Sequence, residues 1–502
     1  MPVKQQHKDY QLMCDKWKRC RDASAGADAI YAGGEHYLPK LQDQSQPEYD
    51  GYRKRAPFFN ATWRTISGLQ GMMFRQPPQV NVPPNVIPML NDITLSGVPM
   101  TIFGLELVEE ILTVGRVGIM VDYPQVDTSA MTLADAQSQN LRPMMKSYTA
   151  ENIINWKTGQ VNNATVLTMV VLQELKEVPT DEFTSTEQMY YRVLDLVNIP
   201  AEDGTPNIVY RVRMFEVIQQ GGQEQDILLS TTYPIINGSN VSFIPFYFMS
   251  TDDVDSDVDL PPLLDLVDMN ISHYKSTADY EHGCHFTGLP TPVISGYRPE
   301  PGTTSFGIGS MTAWTLPEAG AKAYYLEFTG QGLGELKSNI TSKEQKMAVL
   351  GARMLEAQSA GVESADTAGI HRSGEQSTLA SIAQAASIGF TLALKTFCSF
   401  AGAPDTSSVT FDLNRDFFPP IIDALTLTAL VAGWQNGAYS YASLFAMLKQ
   451  NEIVALEQTV DGEIAAMAKH PPMIPGGTKV NQDNTGTHQP ANPTIRQLQT
   501  PS

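Results

Sequence analysis

Pro261–His285 reads PPLLDLVDMNISHYKSTADYEHGCH, and Gly334–Leu355 reads GELKSNITSKEQKMAVLGARML. Leu263, Leu264, Val267, Ile271 and Tyr274 of the first stretch recur at helical spacing, which predicts a helix with one apolar stripe. Asp259 ahead of Pro261 and Pro262 is the acid-then-proline pattern that caps and starts a helix. The second stretch predicts another long helix. Between them, TPVISGYRPEPGTTSFGIGSMTAWTLPEAGAKAYYLEF (Thr291–Phe328) is rich in glycine and proline and reads as a small β-rich insert. Two long helices bracketing a small β module form a projecting arm. Such an arm has little core of its own, so the expectation is that it packs against copies of itself.

The same stretch raises a competing chemistry. His273, His282, Cys284 and His285 are close in sequence, as metal ligands can be. On a helix, however, His273 and His282 fall about 180° apart. A zinc site built from close pairs needs a second pair elsewhere, and the downstream His371 and Cys398 stand alone. The reading is a polar helix end, with no metal. Asp253, Asp255 and Asp257 copy half of a calcium loop, but Val258 stands where its glycine belongs and Leu264 where its closing glutamate belongs. That run reads as an acidic approach to the helix.

Upstream of the arm, the first 120 residues read mainly helical. Leu105, Val108, Ile111 and Leu112 keep helical spacing up to Gly115, and VGIMVDY then reads as a short buried strand. QPPQVNVPPNVIP is a proline-rich connector that cannot sustain a helix. From Ser147 to Ser250 the chain is rich in β-branched and aromatic residues, with turns at QQGGQEQ and INGSN; this predicts an antiparallel sheet. Downstream, EAQSAGVESADTAGIHRSGEQ (Glu356–Gln376) reads as a loop of small residues. A buried helix, the strand VTFDLNRDF and two helices joined at Gly437 follow. Pro471–Ser502 has almost no large apolar residues and reads as a disordered tail.

The 502 residues carry a net charge of −20 with 42% hydrophobic content, too long a chain for one core. The apolar run Ala385–Ala403 is broken by Ser387, Lys395 and Ser399 and reads as a buried helix, not a membrane span. Four scattered cysteines suggest reduced thiols. Met1–Asp22 holds six Lys/Arg against three Asp, and Tyr52–Arg75 holds Arg53, Lys54, Arg55, Arg64 and Arg75 with no acid; ion pairing with acidic neighbours is the expected fate of these charges. No phosphate-binding loop, nucleophile elbow or grouped zinc motif is present. Gly330–Gly334, GQGLG, lacks the spacing of a dinucleotide loop. No catalytic residue, metal or cofactor is assigned.

Taken in order, YLPKL, EYDGYRKRAPFFNATWRTISGLQGMMFRQPP, GRVGIMVDYP, SYTAENIINW, the helix–insert–helix–loop series, VTFDLNRDF and GAYSYASLFAML resemble the portal proteins, or head-to-tail connectors, of tailed double-stranded-DNA bacteriophages. The likeness spans about Tyr31 to Val454 and rests on ordered pattern, since no motif in it is catalytic. It implies an α+β portal-like protomer. Residues 1–258 would form a wing, helical at first and antiparallel β from about 147. Residues 259–285 and 329–355 would be stem helices around a 286–328 clip, and 356–376 the tunnel-loop region. A wing helix and strand (377–436), a crown-like helical region (437–470) and the 471–502 tail would complete the chain. The implied assembly is a ring of roughly twelve subunits at one capsid vertex of the virion, formed in the host cytoplasm. Its implied partners are double-stranded DNA in the channel, the terminase motor, the major capsid protein and head-completion or tail-adaptor proteins, with no membrane.

By position, Gln358, Ser359, Gly361, Glu363, Ser364, Asp366, Thr367 and Gly369 would be the tunnel loop, with His371 and Arg372 at its margin. Lys343, Lys346 and Arg353 lie within about 80° on their helix and are candidates for basic rings facing the channel. A strongly acidic chain suits a conduit, because many phosphate–cation contacts would hold DNA in place. Two alternatives are a head-associated scaffold or capsid-completion protein without a channel and, more remotely, a metal-dependent hydrolase using His273–His285.

Overall fold

The computed structural model describes residues 2–124, 138–200, 207–236, 238–288, 291–296, 320–326, 330–355, 377–417, 424–455 and 458–469. The protein is α+β and divides into two compact units, Met1–Phe418 and Pro419–Ser502.

The first unit opens with α1 (Lys8–Ala25), α2 (Ala27–Ala32), α3 (Gln46–Arg55) and α4 (Ala61–Met73). Tyr10, Met13, Trp17 and Cys20 of α1 come at steps of three and four, and all are buried. Three of the five cations of α1 meet acids: Lys18 pairs with Asp22, Arg19 with Asp268, and Arg21 with both Glu110 and Glu151. The proline-rich connector holds only the short strand β1 (Gln79–Asn81) and a single-turn 3₁₀ segment. α5 (Met100–Val114) stops at Gly115, whose φ of +80° few side chains tolerate. The chain then enters β2 (Arg116–Asp122), as the sequence predicts.

β2 is the middle strand of a three-stranded antiparallel sheet, flanked by β3 (Met144–Thr149) and β11 (Phe246–Ser250). A five-stranded antiparallel meander follows β3: β4 (Ile153–Val161), β5 (Ala164–Pro179), β6 (Ser185–Asn198), β7 (Ile208–Gln220) and β8 (Gln223–Thr232). The small pair β9 (Ile235–Ile236) and β10 (Ser239–Asn240) leads into β11. The predicted β region is therefore two sheets. Glu174 of β5 joins them. Its Oε1 accepts from Tyr148 Oη at 2.5 Å, Lys146 Nζ at 2.9 Å and Arg192 Nε at 2.9 Å.

The arm follows as α6 (Leu264–Gly288), the hairpin strands β12 (Thr291–Ser295) and β13 (Lys322–Leu326), and α7 (Gln331–Arg353). One sequence expectation is corrected here. Asp259 does not cap α6; its Oδ2 accepts from Thr251 N and Thr251 Oγ1, so the helix starts later, at Leu264. The buried α8 (Thr378–Phe400) and β14 (Thr410–Asp412), which pairs with β1, complete this unit.

Two apolar clusters carry the first unit. One packs α4, α5, β2, α8 and β14, with Phe103, Ile111, Phe390 and Phe411 at its centre. The other packs α1 and α6 against the meander, with Trp17, Trp156, Leu194 and Tyr274 inside. Each such side chain contributes roughly 1.5–3 kcal/mol on burial. The second unit contains α9 (Ala424–Gln435), α10 (Tyr441–Gln450) and α11 (Val460–Lys469); Gly437, with φ +78°, lies between the first two.

Candidate functional site

α7 carries Leu333, Leu336, Ile340, Lys343, Met347 and Leu350, continued by Met354 at its C-cap, at alternating steps of three and four, the heptad seam of a coiled-coil-like pair. That seam lies on α6, which runs antiparallel. A side chain at Gly283 would collide with Leu333 at the far end, Lys343 meets Ser272 and Ser276 midway, and Met269 lies beside Leu350 near the body. Gly283 thus makes room for the Leu333 side chain in the distal half. Met347 and Met354 sink into the core of the body, whereas Leu333, Leu336 and Ile340 are only half-buried. Of the 23 residues in α7, only Met347 is fully buried. The distal arm is a two-helix ribbon, which alone buries too little apolar surface to offset its ordering.

Lys343 departs from its expected place. Its ammonium donates to Ser272 O and Ser272 Oγ at 2.9 Å each and to Ser276 Oγ at 2.6 Å. It sits in the seam, and burial lowers its pKa. Lys346 and Arg353, one heptad apart, are exposed on the rim of a shallow depression of about 410 Å³ that also holds Met269 and Val349. The three cations therefore do not form one outward row.

The histidines of the opening stretch meet different neighbours. His273 is 4% exposed; its Nε2 is 3.5 Å from Glu344 Oε1 and its ring is 6.2 Å from that of Phe59. His282 stacks edge-on to Tyr52 at 5.1 Å, and its Nδ1 is 3.2 Å from an Arg55 guanidinium nitrogen. Burial lowers the pKa of both. Among the described residues, no three His, Cys, Asp or Glu side chains are placed to hold a metal ion. The Asp253–Asp257 run is a pair of successive turns, in which Asp255 N donates to Asp253 Oδ1 and Asp257 N to Asp255 Oδ1.

The tunnel-loop candidates, from Gln358 through Arg372, lie outside the described residues. The ends of that segment are described, and they meet: Leu379 N donates to Met354 O at 3.0 Å. Ser377 is fully buried, and its Oγ caps α8 by accepting from Ala380 N. The chain thus leaves the end of α7 and enters α8 at neighbouring points, joined by this backbone bond.

Two features escaped the sequence reading. One is the heptad seam, although its spacing is legible. The other is Asn270 of α6, whose amide caps α4 and which carries no sequence signal.

A family model described as a domain of unknown function (DUF4055) matches residues 262–401, from the approach to α6 through the end of α8. No curated protein matches. Among solved structures, a chain of the virion of a native gene transfer agent (GTA) particle is 12% identical at a TM-score of 0.36, with 84% of this chain and 99% of that chain covered. A chain from the neck of the native GTA particle computed with C12 symmetry is 13% identical at a TM-score of 0.36, covering 77% and 89%. Likeness at this level carries no functional argument. Among the described residues, no helix is long and apolar enough to cross a membrane.

Proposed function

We propose that this chain is the subunit of a portal ring at one capsid vertex, a structural and non-enzymatic conduit for double-stranded DNA. In this reading it docks the terminase motor on packaging and the tail-adaptor proteins afterwards. The observation that carries the reading is the arm: a long antiparallel helix pair, joined through a β hairpin, whose second helix leaves most of its surface uncovered. A ring of about twelve copies would cover that surface and place arms side by side around a channel. The order of parts supports it as well: an α+β body, helix, hairpin, helix, a connecting segment and a buried helix follow the series that the sequence resemblance implies. Within this reading, α6 and α7 are stem helices, the hairpin belongs to the clip, segment 356–376 is the tunnel loop, and Lys346 and Arg353 remain candidates for channel-facing cations. Electron micrographs of the negatively stained, purified full-length chain test the proposal. Rings with a central hole are expected; compact particles with no hole would favour a scaffold or capsid-completion role.

A further inference from the structure

The hairpin of β5 and β6 runs past the sheet that bears it. Leu172 is the last β5 residue paired with β4, and Tyr190 is the last β6 residue paired with β7. From Leu175–Met189 to Pro179–Ser185 the two strands pair only with each other. A two-stranded ribbon is at best marginally stable in water, yet this one ends in a well-made turn. Asp181 Oδ1 accepts from Phe183 N at 2.8 Å and from Thr184 N at 2.9 Å, while its Oδ2 accepts from Thr184 Oγ1. That turn holds Phe183 outward with 88% of its surface exposed, and Leu175 at the ribbon's base is 55% exposed. Glu177, Asp181, Glu182 and Glu187 surround them. The ribbon's one cation, Lys176, is turned back onto Glu174 and the Tyr190 ring.

A surface of opposite character lies on α3 and α4. Residues 53–67, RKRAPFFNATWRTIS, contain four cations and no acid. Phe59 and Trp63 are 45% and 49% exposed, and the Arg64 guanidinium lies 5.3 Å over the Phe59 ring. Lys54 and Arg64 are exposed, with no ion-pair partner among the described residues. Glu344, beside His273, and Asp279, which accepts from Tyr52 Oη, are acids on its flank. The ion pairing expected for this basic stretch is therefore made elsewhere, by Arg75 with Asp416.

We infer that the acidic tip bearing Phe183 docks on the basic aromatic surface around Phe59 and Trp63 of a second copy of this chain. Exposed aromatics, rigidly presented and ringed by complementary charge, are the usual anchors of an interface. The two surfaces differ, so the contact is head-to-tail, the kind that closes into a ring. This rests on the ring reading above and names one of its interfaces.

The test follows assembly of the purified full-length chain by sedimentation across a dilution series. Phe183→Ala and Trp63→Ala should each raise the concentration for half-assembly by about tenfold or more, with melting of the fold unchanged. The double variant should do little worse than the poorer single one, because both delete one contact. Assembly of Phe183→Ala at the unmodified concentration, or additive effects in the double variant, overturns the inference while leaving the ring reading intact. An unmodified chain that stays monomeric throughout overturns both.

Discussion

Asn270 sits in the second turn of α6 with no exposed surface, and its Oδ1 accepts from both Thr62 N and Thr62 Oγ1 at 3.1 Å. The same oxygen accepts from Ala61 N, and its Nδ2 donates to Phe59 O at 2.8 Å. One amide thus satisfies the first turn of α4 and ties it to the arm. Asn270→Leu removes the acceptor of Thr62 N and Thr62 Oγ1, while Ala61 N and Phe59 O stay bonded to each other, so one buried backbone group loses its partner at about 1–3 kcal/mol. A loss of roughly 2–3 kcal/mol is expected, read by denaturant unfolding of the full chain. A loss below about 1 kcal/mol would show that water or a shifted backbone replaces the cap.

Lys343 and Ser276 form a second such tie, with the ammonium in a seam otherwise filled by apolar residues. A polar residue at a heptad seam fixes register at a cost in stability. Lys343→Met is therefore expected to leave stability equal or higher, by up to about 1 kcal/mol. The double change Ser272→Ala, Ser276→Ala leaves the ammonium with the Ser272 carbonyl alone and should lower stability by a similar amount. Thermal scans of the three proteins check this, and a fall on Lys343→Met would mean that the cation is a net contributor.

These two ties show where sequence reading succeeds and where it stops. Gly115 ends α5, the meander strands follow their β-branched runs, and α8 buries the stretch that reads as a core helix. All of these are governed by local periodicity and backbone freedom. Asn270, by contrast, acts on a helix more than 200 positions away, and nothing local marks it. Asp259 looks like a cap because the local pattern is right, but Thr251 offers its carboxylate two donors. For Lys343 the right arc was legible, but the seam passes through its edge. Only the heptad spacing of the neighbouring apolar residues separates Lys343 from Lys346.

His273 gives the arm an expected acid sensitivity. Burial lowers its pKa below the ordinary 6.5, and Glu344 only partly offsets this. The unfolded chain therefore takes up the proton first. Stability is complete above pH 6.5 and falls as the pH drops through that value toward the lower, folded-state pKa. His7 and His282 are lowered by burial as well and add to the same slope. His273→Leu should flatten the fall in melting temperature on the acid side, and Glu344→Gln should steepen it. An identical slope in all three proteins would assign the acid sensitivity to other groups.

Glu174 and Arg192 hold the two sheets together. Burial alone would raise the Glu174 pKa. The Arg192 charge and hydrogen bonds, Tyr148 and Lys146 outweigh it and hold the carboxyl well below the usual carboxylate range. Removing one partner of a buried pair costs about 3–5 kcal/mol, so Arg192→Ala should destabilise by that order. Glu174→Leu together with Arg192→Leu should cost less than Arg192→Ala, because the Glu174 carboxylate is no longer stranded, although Asp122 still loses its Arg192 partner at 3.5 Å. Equal losses in the two proteins, measured by denaturant unfolding, would mean that packing and not charge dominates the site.

The last prediction concerns the segment between Met354 and Leu379, whose backbones are joined by a hydrogen bond. Under the proposed function, Gln358–Gly369 passes the DNA at the narrowest point of the channel. Its composition suits glancing contact. There is no Lys or Arg from Ala357 to Ile370, and Glu363 and Asp366 repel phosphate. His371 and Arg372 are the nearby cations at its margin. Because this bond lies outside the substituted positions, bulky residues in place of Ser359 through Asp366 should leave folding and ring assembly unchanged. DNA packaging or retention should fall. Restoring glycine at position 361 within such a variant should recover part of it, since Gly361 supplies backbone freedom. Packaging in an otherwise complete particle is the measurement, with ring assembly of each variant as the control. Unchanged packaging in the bulky variant would place the segment away from the DNA path and leave the bond between Met354 and Leu379 as a purely structural joint.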